Sequence, residues 1–248
     1  MGRIGLILIA LALISWSGAY PSLVGHWKLN EGGGTIAMNS VLPTKNGTLT
    51  NGAVAAKMQK GNCVYFDGTN DYINIPDADQ YSFGDGSTDR PFTITAWVYN
   101  QNTSGQSCRI ASKYLSGVDA EWLVGTRPTG TYVMALYITS GANIAAEATG
   151  SNAANDVNKW TFLAFTYDAS KAYTGMKIYR NGVAYSSYTS VGSGSYTGMS
   201  NTSVDVRIGN FTTTYAKGYI QDFKIFSREL NATEIKNMYV ESYNRIYN

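Results

Sequence analysis

Apolar and β-branched residues in this chain recur at every second position, in short runs broken by glycine and asparagine. Residues 159–185, KWTFLAFTYDASKAYTGMKIYRNGVAY, set the pattern. Lys159–Tyr167 and Met176–Arg180 read as strands parted by a polar stretch. Asn181-Gly182 is the dipeptide best suited to φ > 0 at both centres of a tight turn. Val183-Ala184-Tyr185 reads as the returning strand. Such a meander cannot bury its apolar face alone and calls for further strands and a second sheet.

The rest of the chain supplies them. Leu23–Asn30 alternates, with Trp27 and Leu29 sharing a face with Glu31 and His26, Lys28 and Asn30 on the other. Glu31-Gly32-Gly33-Gly34, Asn46-Gly47 and Asn51-Gly52 are breaks. Val64–Phe66 and Tyr72–Ile75 are strands around the turn Asp67–Asp71. Pro91–Tyr99 is a long strand with Ile94, Ala96 and Val98 on one face and Thr95, Trp97 and Tyr99 on the other. Cys108–Leu115, Glu121–Gly125, Tyr132–Thr139, Ile144–Ala148, Val204–Gly209 and Gly218–Phe226 follow as strands, with a Gly/Ser-rich loop at Gly192–Ser203. The convincing helix is the last element: Asn231 caps it, Glu234 reaches back to the cap, and Ile235, Met238 and Tyr239 form an apolar stripe. The pattern is all-β: a two-sheet antiparallel sandwich with one short C-terminal helix.

Composition narrows the function. The 248 residues suit one large β domain. Charged residues are 15% and the net charge is +2, without a basic run, which argues against nucleic acid. Arg3, the apolar run Ile4–Ile14 and Ser17-Gly18-Ala19 form a signal peptide at 1–19, leaving a mature domain at 20–248. The competing reading is a membrane anchor, for which Ile4–Trp16 falls short of the roughly 20 residues of a span. The mature protein is expected to be secreted or at the cell surface.

Export makes a Cys63–Cys108 disulfide the first reading of the two cysteines; it would close a loop of about 45 residues, worth roughly 4 kcal/mol. Two buried thiols are the alternative. Asn46, Asn102, Asn201, Asn210 and Asn231 begin Asn-x-Ser/Thr triplets, glycan sites only if the host glycosylates exported proteins.

LVGHWKLNEGGGT at 23–35, VYFDGTNDYINIP at 64–76, FTITAWV at 92–98, KWTFLAFTYD at 159–168 with IYRNG at 178–182, and GYIQDFKIFSRELNATEI at 218–235 together resemble the laminin G-like branch of the concanavalin A-like lectin/glucanase superfamily. The resemblance implies a jelly roll of two curved sheets. It also implies a structural calcium ion at the rim, held by Glu31, the loop from Asn39 to Asn46, and Asp222. Asn39 stands where relatives carry Asp, and Gln221-Asp222 replaces a commoner pair of acids, so the site is short of carboxylates. The same groups also read as partners for backbone N–H groups of the Gly32–Gly34 turn.

Enzymes of this superfamily carry Glu-x-Asp-x-x-Glu, which this chain lacks. The closest pair, Asp119 and Glu121, reads as a solvated strand end. The lyases of similar fold use His, and the single histidine, His26, reads as structural. No catalytic residue is expected.

Tyrosine, at 19, is in excess. The loop-borne Tyr173, Tyr185, Tyr188, Tyr196 and Tyr215 are candidate ligand platforms, with Trp122 and Arg127 as possible additions, although a buried tryptophan is the commoner case. The expectation is a non-catalytic recognition module for carbohydrate or a surface glycoconjugate. The alternative is a structural subunit of a surface layer, filament or particle, given to self-association; an adhesin for a host protein is a third reading.

Overall fold

The computed structural model describes residues 22–58, 61–102, 107–116, 119–151 and 153–247. The proposed signal peptide at 1–19 lies outside them. Among the described residues no helix is long and apolar enough to cross a membrane.

Two antiparallel sheets face each other. Sheet I has eight strands and is built around Phe92–Asn100. That strand pairs with Trp160–Tyr167 in unbroken register, from Phe92 opposite Tyr167 to Tyr99 opposite Trp160. Its other neighbour is Lys217–Phe226, the longest strand. Beyond Trp160–Tyr167 come Met176–Arg180 and Val183–Ala184, joined by the expected turn with φ of 51° at Asn181 and 80° at Gly182. The Asn181 side-chain oxygen accepts the Phe162 N–H at 2.9 Å and ties the turn to its neighbour.

The far flank of sheet I is shared. Gly61–Asp67 pairs with the first half of Lys217–Phe226, and Leu23–Trp27 pairs with the second half. Where one partner gives way to the other, the long strand bulges between Gln221 and Lys224, with Asp222 at φ 55°. Leu23–Trp27 is shorter than the alternation suggests because Leu29 adopts φ 57° and turns the chain out of the sheet, while its side chain still reaches the core.

Sheet II has nine strands, in the order Tyr188–Ser190, Asn143–Ala148, Tyr132–Tyr137, Asp119–Thr126, Arg109–Ser116, Val206–Ile208, Tyr72–Ile75, Gly47–Thr50 and Ile36–Ala37. A hairpin, Asn210–Phe211 with Thr214–Tyr215, stands off it. Several of these edge and hairpin strands carry little period-2 signal, and the sequence marks them only as turns.

Alternation sends one row from each strand into the inter-sheet core: Phe92, Ile94 and Val98 from sheet I meet Trp122, Val124 and Met134 from sheet II. Trp122 is fully buried and its indole N–H donates to the Tyr81 carbonyl at 2.9 Å. The opposite row of sheet I, with Trp97, Phe162 and Phe226, is covered by the helix Ala232–Tyr247 through Ile235 and Met238. The helix begins with the capping box read from the sequence. Asn231 Oδ1 accepts the N–H groups of Thr233 and Glu234 at 3.0 Å each, and Glu234 Oε2 accepts the Asn231 N–H at 2.9 Å.

The expected disulfide is absent: Cys63 and Cys108 are both free and buried. Alternation explains it. Val64 and Phe66 point into the core, so Cys63 between them and Gly61 lies on the outer face of sheet I, its thiol directed at the Ala56 carbonyl. Cys108 lies inside the inter-sheet core. Burial pushes the Cys63 thiol up to about 11 and that of Cys108 to about 12, so both stay protonated.

Candidate functional site

The two outer faces differ. Sheet I is roofed by the helix. Among the described residues no helix covers sheet II; Leu123, Val133, Ala135 and Ala145 sit side by side on three adjacent strands of its outward face, each only 3–4% exposed. They lie at the bottom of an open groove of about 250 Å³.

One wall is the hairpin that begins at Asn210. Ser112 Oγ donates to the Asn210 carbonyl at 2.7 Å, and Thr212, at φ 52°, turns the chain back. Phe211 is thereby laid on Tyr114, ring centroids 4.5 Å apart, and Tyr114 in turn meets Tyr137 edge-on at 5.0 Å. The opposite wall is Val191 with Asn143, whose side-chain amide donates to Ser193 Oγ at 3.2 Å. Arg109 and Arg127 complete the lining. The Arg109 guanidinium lies 5.1 Å from the Phe211 ring centroid. Arg127 Nε lies 3.5 Å from Glu147 Oε2. Burial raises the Tyr137 hydroxyl to about 12, so it remains a donor at neutral pH. An aromatic wall and a few polar side chains are what a sugar ring needs for its C–H face and its hydroxyls.

Of the five tyrosines expected to form platforms, four pack on the core and one lines a groove. Tyr173, Tyr185, Tyr188 and Tyr196 are half-buried and pack against the inter-sheet core. The Tyr188 hydroxyl accepts the Ile178 N–H at 2.9 Å, bridging the two sheets at their edge. Tyr196 donates to Asp89 at 2.8 Å, beside Tyr167, which donates to the same carboxylate oxygen. The polar tips of Tyr188 and Tyr196 are thus spent on the fold. Tyr215 belongs to the hairpin and lines a second, polar groove with Thr69, Asn102 and Lys217, of about 480 Å³. Of the residues named from the sequence, Arg127 lies in the candidate site. Arg109, Tyr137 and Phe211 escaped notice because each sits inside or beside a run that reads as ordinary strand.

Asp119 and Glu121 are not a solvated pair. Glu121 is fully buried, its Oε1 2.5 Å from the equally buried Lys113 Nζ, and it accepts the Thr202 N–H at 2.7 Å. Burial raises the Glu121 carboxyl against the opposing pull of Lys113. The group is sealed from any substrate. The turn at Asp67 and Asp71 behaves as expected of short Asx side chains: Asp67 accepts the Thr69 N–H and Asp71 the Asp67 N–H. Of the Asn-x-Ser/Thr asparagines, Asn102 and Asn210 are buried, Asn231 is engaged as the cap, and Asn201 is exposed.

The rim residues expected to hold calcium do come together, but most of their oxygens already accept hydrogen bonds or pair with a cation. Glu31 Oε1 accepts the Met38 N–H at 2.8 Å. Asn39 Oδ1 accepts from the backbone of His26, Val41 and Leu42, and Asn46 Oδ1 accepts the Asn39 N–H at 2.7 Å. Asp222 Oδ1 is 2.7 Å from His26 Nε2, and its other oxygen pairs with the Lys224 ammonium. Burial would raise the Asp222 carboxyl, but Lys224 and His26 hold it far below its usual range; burial lowers His26 and favours the neutral ring. Among the described residues no three of His, Cys, Asp and Glu gather to hold a metal. A buried ammonium already paired with Asp222, and the hydrogen bonds held by Glu31, Asn39 and Asn46, do not fit calcium's 6–8 oxygen ligands.

Solved structures share the fold at low identity. The binding domain of a paraclostridial mosquitocidal protein is 15% identical with a TM-score of 0.66, over 90% of this chain and 53% of that one. The binding domain of botulinum neurotoxin serotype G is 19% identical with a TM-score of 0.62, over 88% of this chain and 51% of that one. This chain thus spans about half the length of the toxin binding domains it matches. Domain 4 of the extracellular arabinanase AbnA of Geobacillus stearothermophilus, solved with arabinotriose, is 16% identical with a TM-score of 0.60, over 88% of this chain and 98% of that one. No curated protein sequence matches. A family model of laminin G type matches residues 67–236. With two antiparallel sheets packed face to face and more than half its length within that match, the chain belongs to the concanavalin A-like lectin/glucanases superfamily.

Proposed function

We propose that this protein is an exported carbohydrate-binding module that acts without catalysis, and that its ligand lies in the groove on the outer face of sheet II. The observation that carries this reading is the groove itself. Arg109, Arg127, Tyr137, Asn143 and Phe211 converge on one depression of about 250 Å³ on the outer face of sheet II, whereas the outer row of sheet I is covered by its own helix. The similarity to domain 4 of AbnA, which was solved with arabinotriose, supports a saccharide as ligand. The apolar run at Ile4–Ile14 followed by Ser17-Gly18-Ala19 supports export. The sealed Lys113–Glu121 pair supports a role without acid–base chemistry.

A glycan array followed by titration of the hits tests it. Tyr137→Ala, which removes an aromatic wall, is expected to weaken binding at least tenfold, about 1.4 kcal/mol. Tyr65→Ala, on the outer face of sheet I, should leave it unchanged. Absence of any glycan signal from folded protein, or equal effects of the two substitutions, would sink the reading.

A further inference from the structure

We infer that the saccharide bound in this groove carries a carboxylate, which Arg109 holds against the ring of Phe211. The inference rests on the carbohydrate reading above and narrows it to acidic sugars.

The argument is one of charge balance. Arg109 is always charged and partly withdrawn from water, and its Nε is buried without a hydrogen-bond partner. Among the described residues no carboxylate pairs with it; its neighbours are the face of Phe211, the Tyr137 hydroxyl and a second guanidinium, Arg127. The ring offers a cation–π contact of about 0.5–2 kcal/mol, less than a desolvated charge needs. The other arginine repels it, and burial, with that repulsion, lowers the Arg109 guanidinium from its ordinary value. Arg127 has its own counter-charge in Glu147. Glu147 is itself fixed, its other oxygen accepting from Thr129 and Thr131. Two arginines against one glutamate leave a single positive charge, and it resides at Arg109.

The geometry selects the anion. Arg109 lies 5.1 Å from the Phe211 ring centroid and lines the groove, and the two terminal nitrogens of a planar guanidinium fork can give two parallel hydrogen bonds, which match a carboxylate. One unbalanced charge suits one carboxylate per sugar rather than a densely sulfated chain. Tyr137 and Asn143 line the same groove and can meet ring hydroxyls, and the Phe211 ring offers its face to the C–H side of the sugar.

The test uses the full chain and an array of hexuronate and sialic-acid oligosaccharides. Each is paired with the same oligosaccharide after reduction of its carboxyl to an alcohol, and sulfated neutral oligosaccharides form a third arm. At least one acidic form is expected to bind tenfold or more tighter than its reduced partner, and to weaken with added salt. Arg109→Gln should abolish that preference, bringing the affinity for the acidic form down to that for its reduced partner. Arg109→Lys, which keeps the charge but not the fork, should retain only part of it. Near-UV circular dichroism and melting confirm that each variant is folded. Equal binding of acidic and reduced forms, or a preference for the sulfated arm, overturns this inference and leaves the carbohydrate reading standing. No binding of any arm by folded protein overturns both.

Discussion

Asp222 shows how one residue joins the two halves of the rim. Its backbone turns through the left-handed region inside a strand, a conformation that aspartate and asparagine tolerate better than most residues. That bulge brings its carboxylate between His26 on the first strand and Lys224 two residues on. Asp222→Asn keeps the shape and the tolerance for positive φ but removes the charge that Lys224 faces, with Lys224 only 5% exposed. Loss of one member of a buried pair is expected to cost about 3 kcal/mol, read by chemical denaturation at pH 7. The pH dependence follows from the sign of the shift. A carboxyl held below its unfolded value of about 3.9 contributes stability above that pH and loses it as pH falls toward its folded value. The gap between wild type and Asp222→Asn should therefore be full at pH 6–7 and shrink below about pH 4. A gap that persisted unchanged in acid would show that packing, not charge, is what the substitution removes.

Among the elements, the helix is the one whose reading from sequence survives in most detail. Asn231 and Glu234 cap it reciprocally, and Arg228 adds two hydrogen bonds to the Glu234 carboxylate, the longer 2.8 Å. Asn231→Ala is expected to lose about 1 kcal/mol, seen as a lower melting temperature, and to leave the proposed binding in the groove unchanged, because the helix roofs the opposite face. The Pro91–Tyr99 strand was legible for the same reason as the helix: strict periodicity assigned Ile94 and Trp97 to opposite faces, and they lie there. The groove was not legible. In Tyr132–Tyr137 both faces are apolar, and on the neighbouring strands Leu123 and Ala145 share their face with Glu121, Asn143 and Glu147, so period-2 reasoning does not join them into one floor. The hairpin wall is invisible for another reason: Phe211 is held by Ser112 and Tyr114, about 100 residues away in sequence, and only the fold brings them together. The loop tyrosines misled because a tyrosine between strands can serve a cross-sheet bond, as Tyr188 does, as readily as a surface.

At the scale of the whole molecule, the sandwich must secure the rim where its first strand, the loop from Asn39 to Asn46 and its last strand meet. Relatives implied a divalent cation for that task. Here the positive charge is internal: the Lys224 ammonium faces Asp222, while Asn39 collects three backbone N–H groups that a carboxylate-rich loop would otherwise leave to other acceptors. Calcium would have to displace that ammonium and strip hydrogen bonds from Asn39 and Asn46 before gaining its own ligands. Melting in millimolar calcium and in EGTA is therefore expected to coincide. The comparison is sensitive, since a ligand at one hundred times its Kd adds about 2.7 kcal/mol to the native state, or roughly 5–10 °C in a domain of this size. A rise of that order in wild type would mean that Lys224 swings out and the rim opens to a metal. Glycan binding that was lost in EGTA without any change in melting would place the metal at the ligand instead, and the groove on sheet II would then have to share its sugar with the rim.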